Sequence, residues 1–178
     1  SITPYGSTAD GYVYKNGAWG GSWSSVRGAA TGTGSNSSAS SYNTAMSAYG
    51  SFGTLYCYRA FFYFDTSGIP AGSTVNSASL SLYGYGNAQS SVSAQKGTQG
   101  DTLGTASFSA FSGSEYGHVT WGAGAYKTIT FNATGCSDIQ MGSGAVTKIC
   151  CREYAHDYLN SSPEESSYKN GCYFSDNS

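Results

Sequence analysis

Ten consecutive residues, Leu55-Tyr56-Cys57-Tyr58-Arg59-Ala60-Phe61-Phe62-Tyr63-Phe64, carry six aromatic rings and a single charge. A run this short and this rich in rings reads as a β-strand, and its lack of polar alternation means that neither face is left to water. It is predicted to be a strand buried on both faces, or one that bridges the core and an interface. Punctuation follows it, from Asp65 to Ser73 with Gly68, Pro70 and Gly72. Thr74 to Gly86 then alternates: Ala78, Leu80 and Leu82 share one face, while Ser77, Ser79, Ser81 and Tyr83 share the other. That period of two predicts a half-buried antiparallel strand.

Further strands are predicted at Gly11–Tyr14, at Ser91–Gln95, around His118–Trp121, over Tyr126–Ala133 with Ile129 and Phe131 inward, at Val146–Glu153 and at Gly171–Ser175. Helix is scarce, with one short turn expected at Ser137–Met141. The stretch from Gly28 to Gly53 starts as an almost pure run of Gly, Ala, Ser, Thr and Asn. It reads as a linker, a long surface loop or a pair of weak small-residue strands. Short strands separated by Gly-rich turns predict an all-β chain, a jelly-roll-like antiparallel β-sandwich spanning residues 1–178 as one domain. No repeat of 20 to 50 residues points to a solenoid or propeller.

Charged residues make up only 10% of the chain, and its net charge is −2. Glycine, serine, threonine, asparagine and 16 tyrosines supply the surface chemistry instead. With no basic stripe, nucleic-acid binding has no electrostatic footing. No apolar run approaches the roughly 20 residues of a spanning helix, so membrane insertion by a helix is not expected. The start, Ser1-Ile2-Thr3-Pro4, implies either a removed leader or a piece of a longer chain. Such a neutral, hydroxyl-rich exterior suits a virion surface or an extracellular setting. The five cysteines, Cys57, Cys136, Cys150, Cys151 and Cys172, are odd in number and cannot all pair internally. Disulfides would suit an extracellular setting; the plainer reading makes most of them small buried apolar residues, since Cys57, Cys136 and Cys172 fall at inward strand positions.

The cadence from Arg59 to Tyr83 is specific: an Arg opens an aromatic strand ending Phe64-Asp65, Ile69-Pro70-Ala71-Gly72 forms a turn, and Ala78-Ser79-Leu80-Ser81-Leu82 follows. It resembles the DNRLRE-type domains, which are related to a group of carbohydrate-binding modules. Asp10-Gly11-Tyr12-Val13, Val119-Thr120-Trp121 and the strand from Lys127 to Ala133 resemble further parts of that pattern. The resemblance implies a jelly-roll sandwich of the kind found in secreted bacterial and archaeal proteins and in phage structural proteins, and it brings no catalytic residues. Two departures stand out. The 28–53 stretch is longer than the pattern needs, and the apolar closing strand is not reached by Ser178. Either the chain continues, or a neighbouring copy supplies the strand.

Chemistry-bearing groups are few. His118 with Ser114 and Asp101, or His156 with Asp157, could be assembled into a triad, but no nucleophile elbow surrounds either. Glu164 and Glu165 follow Pro163 and read as a solvated loop, not as a glycosidase pair. Loop-bound calcium could use Asp65, Asp101 or Asp138, although no D-x-D-x-D-G loop exists; no other cofactor is expected. Arg59, if buried, needs a carboxylate partner, for which Glu153 and Asp65 are the candidates. Asn36-Ser37-Ser38, Asn132-Ala133-Thr134 and Asn160-Ser161-Ser162 fit the glycosylation pattern.

Exposed aromatics give the binding candidates: Trp19 and Trp23 around a Gly-rich turn, with Tyr12 and Tyr14 beside them and Tyr5, Tyr42 and Tyr49 nearby in sequence. Rings among hydroxyls suit sugar stacking and protein contacts alike, while Trp19 and Trp23 could equally cap the sandwich; Trp121 is expected in the core. The chain is therefore expected to be a non-catalytic structural or assembly module, such as a phage decoration or tail-fibre domain or a filament subunit. Its partners would be copies of itself or other proteins of the same assembly. The alternative is a carbohydrate-binding module whose partner is a polysaccharide.

Overall fold

A computed structural model describes residues 2–18, 20–165 and 168–174, and in it the aromatic run is the spine of the molecule. In chain order the described elements are β1 (Gly11–Ala18), α1 (Trp23–Arg27), β2 (Gly34–Asn36), β3 (Ser41–Tyr42), β4 (Ser47–Ser51), β5 (Thr54–Asp65), β6 (Ser79–Ala88), β7 (Ser91–Gly97), β8 (Phe111–Thr120), β9 (Tyr126–Thr130), α2 (Ala133–Ser137), β10 (Val146–Glu153) and β11 (Asn170–Tyr173). A 3-10 turn at Thr105–Ser109 precedes β8, and a π-helical turn at Tyr154–Tyr158 follows β10.

The strands form two antiparallel sheets, which pack as an all-β, jelly-roll-like sandwich. The larger sheet runs β2-β1-β5-β10-β7-β8, and β4 also pairs with β5. β1 lies along one side of β5 from Gly11↔Phe61 to Ala18↔Thr54. The other side is shared end to end by β4, from Ser47↔Tyr58 to Ser51↔Thr54, and β10, from Arg152↔Arg59 to Val146↔Asp65. The smaller sheet runs β3-β11-β6-β9. From β5 onward the chain crosses from one sheet to the other at β5–β6, β6–β7, β8–β9, β9–β10 and β10–β11, so neither sheet is built from a local meander.

β5 explains its own sequence. Its inward residues Tyr58, Ala60 and Phe62 join the core between the sheets, with Leu80, Leu82, Val92, Trp121, Ile129, Ile149 and Phe174. Its outward residues Leu55, Cys57 and Phe61 join a second apolar cluster on the back of the large sheet, with Val13, Trp23, Val26, Leu103, Phe108 and Cys150. A strand covered on both sides has no use for polar alternation. β6 is covered on one side only: Leu80 and Leu82 are buried, whereas Ser79 and Ser81 are exposed.

All five cysteines are buried and unpaired, as small apolar residues of the two cores. Trp121 is in the core, with its indole N–H donating to the Gly171 carbonyl at 2.8 Å. The small-residue stretch is tied down as weak strands: β2 pairs with β1 and β3 with β11. The expected helical turn at Ser137–Met141 lies earlier, at Ala133–Ser137, because the Asn132 side chain caps that turn by accepting the Gly135 N–H at 2.9 Å. The last described strand is Asn170–Tyr173, held between β3 and β6; Ser175 lies outside the described residues.

Candidate functional site

The back of the large sheet holds the most charged cluster. Arg59 and Arg152 are cross-strand partners, so both side chains leave the sheet on the same side. The π-helical turn after β10 folds Asp157 over them. Arg59 donates through Nε to Oδ2 at 2.8 Å and through Nη2 to Oδ1 at 2.6 Å; Arg152 does the same at 3.0 and 2.8 Å. Arg152 Nη1 reaches Gln95 at 2.7 Å, Arg59 Nη1 the Phe108 carbonyl at 2.8 Å, and the Arg59 and Arg152 guanidiniums lie over the Phe111 ring. Burial pushes the Asp157 carboxyl up, but the two guanidiniums outweigh it and hold the group well below the usual carboxylate range. Every described donor of Arg59 and Arg152 ends on the protein, so the cluster is an internal ion network clamping the π-helical turn onto the sheet.

Neither Glu153 nor Asp65 partners Arg59. Alternation along β10 turns Glu153 away from Arg152 and Arg59, and its carboxylate instead accepts the backbone N–H groups of Ala155, His156 and Asp157. Asp65 sits six residues further along β5, on the order of 20 Å away, where it accepts the Ser67 N–H at 2.9 Å.

The other chemical candidates are spent separately. His118 bonds through Nδ1 to the Glu115 carboxylate at 3.1 Å and stacks on Tyr154, so its acid is Glu115 and not Asp101. Asp101 pairs with Lys148 at 3.0 Å. Asp157 belongs to the arginines, while His156 Nδ1 meets the Ser161 carbonyl at 2.9 Å. Asp138 accepts from Lys96 at 3.0 Å and from the Tyr116 hydroxyl at 2.8 Å. Asp65, Asp101 and Asp138 therefore each serve a different partner, and no group of three or more potential metal ligands gathers among the described residues. Glu165 accepts the Phe52 N–H at 3.4 Å. A shallow groove of about 610 Å³ lies beyond the end of β5, between residues 73–76 and 131–141, and its lining carries no charge.

The aromatic residues expected to line a groove are largely interior. Trp23 is only 8% exposed, and its indole N–H donates to the His156 carbonyl at 3.2 Å. Tyr12 is buried and stacks on Tyr42 at 4.1 Å; half-buried Tyr14 stacks on Tyr58 at 5.0 Å. With Tyr49 and Tyr56 these rings form a ladder on the inner face of β1, β4 and β5. Burial, with Tyr42 close by, pushes the Tyr12 and Tyr49 phenols up to about 12. Trp19 lies outside the described residues.

Apart from Tyr5 and Phe52, which stand singly in the N-terminal segment and the β4–β5 turn, the exposed tyrosines gather on the outer face of the small sheet. Tyr83 and Tyr85 of β6, Tyr126 of β9 and Tyr173 of β11 come together there. Tyr83 meets Tyr126 edge-on at 5.0 Å, Tyr173 meets Tyr83 at 5.7 Å, and Tyr85 meets Tyr173 at 4.8 Å. Tyr126 is 71% exposed. The register Ser79↔Thr130, Ser81↔Thr128, Tyr83↔Tyr126 places a hydroxyl field beside the rings, with the Ser81 and Thr128 hydroxyls 2.8 Å apart. None of these outward positions carries a charge at neutral pH. Gly84 makes the arrangement feasible: a Cβ there would strike the Gly122 carbonyl, so only glycine lets the 121–125 loop close over β6 and bond it through Gly124 N and Ala125 O. Tyr83 is pinned by its own hydroxyl, which donates to the Gly124 carbonyl at 2.9 Å.

Only Tyr83 of this set was visible as an outward strand residue beside serines. Tyr126 and Tyr173 join it from strands about 40 and 90 residues further on, which periodicity within one strand does not reveal. Comparison with known proteins adds no relative: no family model, curated protein or solved structure matches this chain.

Proposed function

We propose that this protein is a non-catalytic module of a virion or extracellular surface, and that it works by contact through the tyrosine face of its small sheet. The observation that carries the reading is the charge-free outer face, where Tyr83, Tyr85, Tyr126 and Tyr173 stand next to rows of serine and threonine. Rings with a polar tip contribute large contact area at low entropic cost, and hydroxyls supply hydrogen bonds without the desolvation penalty of charge. The resemblance of residues 59–83 to DNRLRE-type domains and the low overall charge support the same setting. The partners are copies of this chain or other proteins of the same assembly. Light scattering on the wild type and on Tyr126→Lys tests this: concentration-dependent association that the lysine abolishes is the expected result, and a strictly monomeric wild type at high concentration argues against it.

A second reading, polysaccharide binding by the same face, is favoured by its size. Three strands, β6, β9 and β11, over four to five residues each cover roughly 190–240 Å², well short of the about 800 Å² per partner of a standard protein interface. A few stacked sugar rings fit that area. Retardation in gels containing neutral polysaccharide, lost in Tyr126→Ala, would favour this reading over self-association; no retardation in any gel would remove it.

A further inference from the structure

We infer that Tyr85 and Tyr173 form an oxidative coupling site, at which a peroxidase-type oxidant joins the two rings into a dityrosine that staples β6 to β11. This modification is independent of the binding role above, because it needs only the single chain and an oxidant.

The geometry singles out this pair. Their ring centroids are 4.8 Å apart with planes at 65°, the shortest separation in the outer-face cluster, so the edge of one ring already faces the other and a ring rotation brings the two ortho edges together. Carbon–carbon coupling joins ring edges, and the bond lies in the plane of each ring. The closest tyrosine pair inside the sandwich, Tyr12 and Tyr42, is stacked face to face at 17°, and Tyr12 is buried in the core, which keeps an oxidant from it. Tyr85 is 37% exposed, which gives an oxidant access and lets the ring swing the short distance to its partner. Tyr83 is less free, because its hydroxyl is held by Gly124.

The adjoining strands are hydrogen-bonded neighbours with a register shift between Asn170 and Cys172, so the link would brace the irregular part of the β6–β11 pairing. It would also supply a covalent tie that the cysteines do not, since all five are buried and unpaired.

The chemistry balances as follows. Each phenol loses one electron and one proton to hydrogen peroxide through a haem peroxidase. The two phenoxyl radicals join through a carbon–carbon bond between positions ortho to oxygen. The hydrogens on those two carbons then transfer to the oxygens, restoring both phenols. Two tyrosines and one hydrogen peroxide give one dityrosine and two waters.

The test is treatment of dilute, monomeric protein with a haem peroxidase and hydrogen peroxide. The readouts are dityrosine fluorescence, loss of the mass of two hydrogens from the intact monomer, and mapping of the linked peptides. The expected result is an intrachain link between the peptides holding Tyr85 and Tyr173, abolished in Tyr85→Phe and in Tyr173→Phe. Tyr5→Phe should leave it unchanged even though Tyr5 is 84% exposed. Phenylalanine keeps the ring, and matching unfolding curves show that the variants remain folded. No intrachain dityrosine, a link mapped to another pair, or a yield that follows exposure and falls in Tyr5→Phe overturns the inference.

Discussion

Replacing Asp157 by asparagine puts the ion network to a quantitative test. The change keeps the shape of the side chain and removes its charge. Four charge-assisted hydrogen bonds from Arg59 and Arg152 then lose their anion. Both guanidiniums are almost fully buried, at 1% and 3% side-chain exposure, so water cannot replace it. Breaking a buried pair by removing one partner costs about 3–5 kcal/mol, against a total of about 5–15 kcal/mol for an ordinary domain. With a slope of about 4 kcal/mol per molar in guanidinium chloride, the unfolding midpoint should fall by about 1 M. Equilibrium unfolding followed by tyrosine and tryptophan fluorescence measures it, and the slope should not change. Replacing the whole triad, Asp157→Leu with Arg59→Met and Arg152→Met, should recover most of the loss, because the one charge then left without its anion, Arg27, is a quarter exposed and reaches water. A loss below about 1 kcal/mol for Asp157→Asn would refute the claim that this carboxylate holds the turn to the sheet.

Acid should act through the same residue. The Asp157 carboxyl is held below its unfolded value, so its contribution is fully present above the ordinary carboxylate pKa and is lost as pH falls below about 4. Glu153, which burial pushes up against the opposing pull of its backbone N–H bonds, works in the other direction: it takes up a proton in the folded state first, so mild acidification does not weaken the fold through this group. Stability measured from pH 7 to 3 should therefore stay level to about pH 5 and then drop, and Asp157→Asn should flatten the drop. Phe52 and Gly53 form a two-residue hairpin turn with φ of 46° and 74°, and Phe52 is 98% exposed; Phe52→Asn supplies the residue this turn prefers and should raise stability by up to about 1 kcal/mol in denaturant titration. The five buried thiols, with Cys150 pushed up to about 12 by burial, should resist an aromatic disulfide reagent in the native protein and all react after unfolding; fast labelling of any one in native buffer would contradict the packing.

The strands were legible wherever one residue's neighbours along the chain decide its fate. Leu80 and Leu82 alternate with Ser79 and Ser81 because one face of β6 is wet, and the unbroken apolar run of β5 follows from cover on both faces. Arg59 declared its need for an anion by standing in that run, and burial of Cys57 and Cys172 followed from their place on strands, whereas Cys136, expected at an inward strand position, is buried from the short helix α2. The partner of Arg59 was not legible. Asp157 reaches it through a π-helical turn nearly a hundred residues away, while Glu153, closer in strand register, is turned to the other face and captured by backbone N–H groups. The aromatic candidates were likewise sorted only by the packing of the sheets. A period of two says which side chains share a face, but not whether another layer covers that face. Trp23 and Tyr12 therefore went inside under long-range cover, while Tyr83, Tyr85, Tyr126 and Tyr173 met in solvent only because β6, β9 and β11 became neighbours.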